Sequence, residues 1–310
     1  MAPGSISLRL YPHDDLSPEG IVEELRRQAG AARESGFDGV MTSEHHNGFG
    51  GYLPNPLQVA GWALEAMNDG WAAPCPLLLT LRPVALVVEE TAWLQARFPG
   101  RVGLGVAAGS LPEDFLIMEA TRDDRGERYA TGLATVAGAM SGRDPGLLGS
   151  DPAVLRCRQH PIPVVSAAMS LGAVRRAARL GVGVLFDSLS GVDRCRRLAE
   201  AYREAGGPGA VVMIRRVWMG SPPSGRHARQ VAVYRGYAEP SAQAHWTGDQ
   251  LVNADDPLSM AEQLAETASA GGADALNLRV HVPGMTPGEV AAQIGALADV
   301  LAALRPRLPA

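Results

Sequence analysis

Residues Pro163 to Phe186 read PVVSAAMSLGAVRRAARLGVGVLF. Pro163 to Ser166 and Gly183 to Phe186 are short runs of apolar, mostly β-branched or bulky residues, as expected of strands covered on both faces. Between them Ser170 is a natural helix N-cap, and apolar positions then recur at helical spacing. Strand, helix and strand in succession is the alternation of a parallel sheet. The same unit continues outward in both directions. Strands are expected at Ile6 to Tyr11, Gly39 to Thr42, Pro76 to Thr80 and Val102 to Ala107 on one side, and at Val211 to Trp218 and Ala273 to Val280 on the other. Eight such units predict a single (β/α)8 TIM barrel over residues 1–310, with an open doubly wound sheet as the alternative.

Start and stop signals support the helices. Ser17 and Pro18 form an N-cap with proline at the first helical position, and Gly36 closes that helix. Asp256 and Pro257 repeat the device. Thr286, Pro287 and Glu289 form a capping box ahead of an apolar stripe of Val290, Ile294, Leu297 and Leu301. Two connections exceed a minimal βα loop, from about Ala108 to Pro161 and from about Gly220 to Gly272, which places insertions after the fourth and seventh strands. In such a barrel the chemistry sits at the carboxyl ends of the strands.

Composition removes several function classes. A net charge of -5, with no basic stripe, argues against a nucleic-acid partner or an anionic membrane surface. The three cysteines, Cys75, Cys157 and Cys195, form no CxxC pair or disulfide framework. With no signal-peptide pattern at the N-terminus, this predicts a cytoplasmic protein. The sequence contains no lysine, which excludes a Schiff-base lysine, a pyridoxal-phosphate anchor and a P-loop.

The densest polar cluster follows the second strand: Ser43, Glu44, His45, His46 and Asn47, then the glycine-rich stretch from Gly48 to Gly51. Histidine there suits proton transfer near neutral pH; the same residues also suit anchoring a loop. Adjacent histidines point apart on extended backbone, which disfavours a zinc site. The fourth strand runs into Ala107, Ala108 and Gly109, where the lack of a side chain lets a flat ring or a backbone approach. Met169 and Ser170 precede a helix whose free amides could hold a phosphate, or Ser170 is a plain cap. The Cys75–Pro76 bond carries proline's usual allowance for the cis form. One member of each pair, Arg175/Arg176 and Arg215/Arg216, is expected to face solvent. Met118, Trp62, Trp71 and Trp246 are candidates to line a pocket or to fill core.

Taken in order, GFDGVMTSEHHNGFGGYLPNP, LLLTLRPVALVVEETAWLQARFPGRVGLGVAAG and PIPVVSAAMSLGAVRRAARLG resemble the bacterial luciferase-like family of flavin-dependent enzymes over most of the chain. The resemblance implies a barrel that binds reduced FMN at the strand ends and uses O2 to oxygenate a small-molecule substrate. It further implies a separate flavin reductase and a homodimer packed through early helices. Relatives that use the deazaflavin F420 for hydride transfer give one alternative, and a non-catalytic flavin-binding protein gives another. By the same resemblance His45, with Glu44 and His46, takes the catalytic position. Ser170 and Met169 lie at the flavin-phosphate helix, Ala107 and Gly109 beside the flavin, and Cys75 at a cis bond that supports the ring. Ala107 and Ala108 stand where bacterial luciferase has a reactive cysteine and a phosphate-binding arginine, and Asn47 where an aromatic residue is common.

Overall fold

A computed structural model describes residues 1–238, 243–246 and 250–309, with the side chain of Tyr237 outside the description. Its strands are β1 (Ile6–Arg9), β2 (Gly39–Thr42), β3 (Trp71–Pro74), β4 (Leu77–Leu78), β5 (Leu104–Ala107), β6 (Val164–Ala167), β7 (Gly183–Phe186), β8 (Val211–Met219), β9 (Leu251–Ala254) and β10 (Ala275–Arg279). They pair in the order β3-β2-β1-β10-β8-β7-β6-β5-β4, with β9 added to β8. Every one of these pairings is parallel. The two ends meet where Ala72 bridges Val102, through Ala72 N to Arg101 O at 3.0 Å and Gly103 N to Ala72 O at 3.0 Å. The result is the expected TIM-barrel architecture, with helices outside.

Alternation along each strand explains how two cores coexist. Val40, Val164, Val184, Val211 and Leu276 belong to the large outer core beneath the helices. Their neighbours Met41, Val165, Leu185, Val212 and Ala275 pack together inside the ring. Successive side chains leave opposite faces of a strand, so an unbroken apolar run serves both layers at once. Gly105 faces that interior: a Cβ there would lie 2.1 Å from Cys75 Sγ. Gly105→Val is therefore expected to destabilise the fold by about 1–3 kcal/mol through overpacking, read as a lower denaturant midpoint at unchanged slope.

Most expected elements are found within a residue or two, and the third strand is the exception. Instead of Pro76 to Thr80, the sheet uses Trp71–Pro74, in register with Gly39–Thr42. The chain then turns through a cis Cys75–Pro76 bond. Of the Leu-rich run only Leu77 and Leu78 pair, and Leu79–Leu81 form one 3₁₀ turn. Two prolines mark the end of a strand here, where they read as its boundaries. The second insertion holds a helix, Ser224–Tyr237, and the unexpected strand β9, whose short LVNA sequence carries almost no alternation.

The predicted caps are present. Ser17 Oγ accepts from Gly20 N, Asp256 Oδ1 from Ser259 N, and Thr286 and Glu289 cap each other reciprocally. The run Pro287–Arg307 has the length and mean hydropathy (1.2) of a membrane span. Its apolar stripe, including Val290, Ile294, Leu297 and Leu301, is nevertheless buried against the barrel.

Candidate active site

At the carboxyl rim, β2 ends in Thr42 and the chain continues through Ser43 to His46 before the loop of Asn47 to Gly51. Glu44 is fully buried, and its carboxylate accepts from Leu78 N at 2.7 Å, from His46 Nε2 at 3.0 Å and from Arg82. It ties β2 to the turn after β3. His46 is thereby held behind the rim, and burial pushes its pKa below the ordinary histidine value, with Asp114 opposing and His45 adding to the shift.

His45 points the other way. Its Nδ1 lies 2.7 Å from Asp114 Oδ2, while the second carboxylate oxygen accepts from His46 N at 2.9 Å. The ring is flanked by Phe49 and Tyr52, each with its centroid 4.7 Å away. Asp114 is fully buried in the first turn of the short helix Pro112–Ile117, just inside the first insertion. A carboxylate at Nδ1 assigns the proton to that nitrogen and leaves Nε2 as the basic one.

These groups open on a cavity of about 340 Å³ at the carboxyl rim. Glu44 and His45 line it with Tyr52, Pro76 and Leu78. Ser110, Arg125, Ala167 and Met169 line it after β5 and β6, Leu185 and Asp187 after β7, and Arg9, Ile214 and Arg279 from β1, β8 and β10. The size and the mixture of apolar walls with few polar groups suit a small organic molecule.

Of the expected site residues, His45, Glu44 and Met169 reach this cavity. Ser170 is the next residue but does not line the cavity; it is exposed, with Oγ capping Ala173 N at 3.3 Å. Cys75 turns its thiol into the barrel interior, where burial raises it to about 11, and Pro76 meets the cavity instead. Ala107 packs toward Leu78 and Phe115. Gly109 takes a positive φ of 72°, and a Cβ there would lie 3.3 Å from the Phe115 ring, so a turn and a close contact both call for glycine. Trp246 lines the cavity, whereas Trp71 packs at the barrel interior, Trp62 against the outer core and Met118 beside Phe115.

Two features escape a reading of the sequence. Asp114 lies far from the histidines in the chain and carries no local motif. Arg215 and Arg216 are both buried, at 1% and 0% exposure, which overturns the expectation that one faces solvent. Arg215 crosses to the β7 loop, donating to Asp187 O and Ser190 O, while Arg216 stays inside the barrel. Arg175 is exposed and Arg176 half-buried, as expected.

Burial, reinforced by the arginines, sets the state of nearby histidines. Burial, with the charges of Arg216 and Arg279, lowers His227 to about 4, and His281 is lowered in the same direction by burial, His13 and Arg279. The folded protein keeps these rings neutral, while the unfolded chain takes up protons below about pH 6.5. Their contribution is therefore complete above that value and is lost as pH falls, for His227 toward about 4. His227 alone accounts for up to ~3 kcal/mol over this window. Denaturant unfolding at pH 7 and pH 4 checks this, with His227→Leu expected to flatten the dependence.

Comparison with known proteins agrees with this fold. The family of luciferase-like monooxygenases matches residues 7–303. Uncharacterized proteins of Mycobacterium tuberculosis and Mycobacterium bovis are 32% identical over 108 residues, covering 33% of this chain and only 38% of theirs. Among solved structures, the oxygenating constituent of 3,6-diketocamphane monooxygenase from Pseudomonas putida, in complex with FMN, superposes with a TM-score of 0.78 at 16% identity, covering 98% of both chains. An F420-dependent secondary alcohol dehydrogenase, in complex with an F420-acetone adduct, gives a TM-score of 0.73 at 18% identity, covering 98% of this chain and 99% of that one. At such identities the likeness concerns the fold.

Proposed function

Because the chain belongs to the luciferase-like monooxygenase family, we propose that it is an enzyme that binds reduced FMN at the carboxyl rim and oxygenates a small organic substrate with O2. The observation that carries this reading is a single cavity reaching from His45 to Met169, one residue ahead of a capped helix start. The residues fit the cofactor. Ser170 Oγ satisfies Ala173 N, and the amides of Leu171 and Gly172 in the same first turn have no intrahelical acceptor, so they would hold the phosphate. Pro76, Leu78, Met169, Leu185 and Ile214 give apolar contacts for a flat ring. When bound, reduced FMN supplies the electrons that activate oxygen.

The protein's own part is positioning, exclusion of water and proton transfer. His45 accepts or returns a proton at Nε2, and Asp114 fixes its tautomer and orientation. Glu44 and His46 hold the backbone of the site rather than the reacting atoms, since Glu44 is engaged by three partners. In this reading a separate reductase delivers the electrons. The enzyme works in the cytoplasm, where its three buried cysteines stay free. It dimerises through the helix Val84–Arg97, where Leu86 and Trp93 are exposed.

Oxygen uptake and product formation with chemically reduced FMN test the proposal across a panel of small organic compounds. His45→Ala is expected to bind the cofactor and lose turnover by 10²-fold or more. Turnover that needs reduced F420 and proceeds without oxygen would replace oxygenation by hydride transfer in the same cavity.

A further inference from the structure

The inward positions of β1 and β10 turn from small to polar to cationic as the strands rise. On β1 they are Ser7 and Arg9; on β10 they are Ala275, Asn277 and Arg279, and the intervening Leu8, Leu276 and Leu278 face the outer core. The strands pair Ser7 with Asn277 and Leu8 with Leu278, so Arg9 comes level with Arg279 at the rim. Both arginines line the cavity and are nearly buried, at 6% and 4% exposure.

Among the described residues neither has an ionic partner. Arg9 Nε donates to Asn277 Oδ1 at 2.9 Å, and its Nη1 donates to Cys75 O at 3.0 Å and to Ser43 Oγ, which leaves Nη2 without an acceptor among the described residues. Arg279 lies between the rings of Tyr11 and Tyr234, its guanidinium carbon 5.1 and 5.3 Å from their centroids, and it hydrogen-bonds to Tyr234. Among the described residues its Nε and Nη2 have no acceptor. Among the described residues no carboxylate pairs with either guanidinium. The carboxylates that line the cavity are already engaged. Glu44 is held by Arg82, Leu78 and His46, and Asp187 accepts from Leu189 N at 2.8 Å and Ser190 N at 2.7 Å.

We propose that this pair of arginines binds the oxyanion of an organic-acid substrate, a carboxylate or a sulfonate, whose hydrocarbon body occupies the apolar part of the cavity. A buried guanidinium without a counter-charge is costly, and a bound anion removes that cost. Nε and Nη2 of Arg279, buried and unpartnered among the described residues, are the two parallel donors that a carboxylate or sulfonate accepts side-on. The stacked tyrosines keep the guanidinium plane fixed. The phosphate of a flavin is not the occupant, because the helix start at Ser170 follows β6. In the sheet order, β8 and β7 separate β10 from β6 on one side, and β2, β3 and β5 separate β1 from it on the other. The inference rests on the oxygenation reading, whose substrate class it names.

Calorimetric titration of the flavin-free protein with octanoate, octanesulfonate and octanamide tests it. Either anion is expected to bind at least tenfold more tightly than the amide. Arg279→Gln abolishes that preference, Arg279→Lys keeps part of it, and binding of reduced FMN changes less than twofold in both. Equal binding of octanoate and octanamide by the wild-type protein overturns the proposal, and this arm stands even if Arg279→Gln fails to fold. So does octanoate binding unchanged in Arg279→Gln, or a tenfold loss of reduced FMN in that variant, which would give the arginines to the cofactor ring. Because the anion titration contains no flavin, Arg279-dependent octanoate binding in a protein that binds neither FMN nor F420 would keep this site while removing the oxygenation reading.

Discussion

Asp114→Asn is expected to lower turnover by about 10²–10⁴-fold while the protein remains folded and able to bind its cofactor. The two oxygens of Asp114 do different work: one accepts from His46 N at 2.9 Å and the other meets His45 Nδ1 at 2.7 Å. An asparagine keeps its carbonyl for the His46 amide, which turns its NH2 toward His45. His45 Nδ1 must then accept, the proton moves to Nε2, and the nitrogen left for the chemistry is no longer a base. A kcat that falls with little change in KM and Tm supports this account. Normal turnover by the asparagine variant would show that the tautomer of His45 does not matter.

The second large effect falls on stability. Glu44→Ala is expected to cost ~3–5 kcal/mol, because it strands the Arg82 guanidinium and the Leu78 amide in a buried site. In a chain of this size that is a fall in Tm on the order of 10 °C. Glu44→Gln, which keeps an acceptor for Leu78 N, loses less. Thermal unfolding of both variants decides the point, and a shift within 2 °C for the alanine variant would mean that this network does not anchor β2 to the turn after β3.

The barrel was legible because its signals are local. Strand composition, Ser17, Asp256 and Thr286 as caps, and Ser170 ahead of its helix each depend on a few consecutive residues. The third strand is not legible in the same way, because WAAP and LLLT are both plausible strands and only pairing with Gly39–Thr42 chooses between them. For the candidate site, the Glu44-His45-His46 cluster stands out in the sequence because three titratable groups at a strand end are uncommon. Its division of labour does not, since it depends on Asp114 and Arg82, brought in from other elements. The rim arginines were hidden for the opposite reason. Arg9 and Arg279 are ordinary strand-end residues in a linear reading, and the pairing of β1 with β10 is what places them at one level inside the ring. The period-two pattern in ISLR and ALNLR, with polar residues at the inward positions, was the available signal.

One cavity shared by His45 and the helix start at Ser170 is the claim on which the functional reading stands. Anaerobic titration of the wild-type protein and of Met169→Trp with reduced FMN, and in parallel with reduced F420, tests it most directly. The account predicts one equivalent of one of these cofactors bound by the wild-type protein, and a loss of at least tenfold in affinity when the tryptophan fills the Met169 side of the cavity. Binding of neither cofactor, or equal binding by the variant, would contradict it.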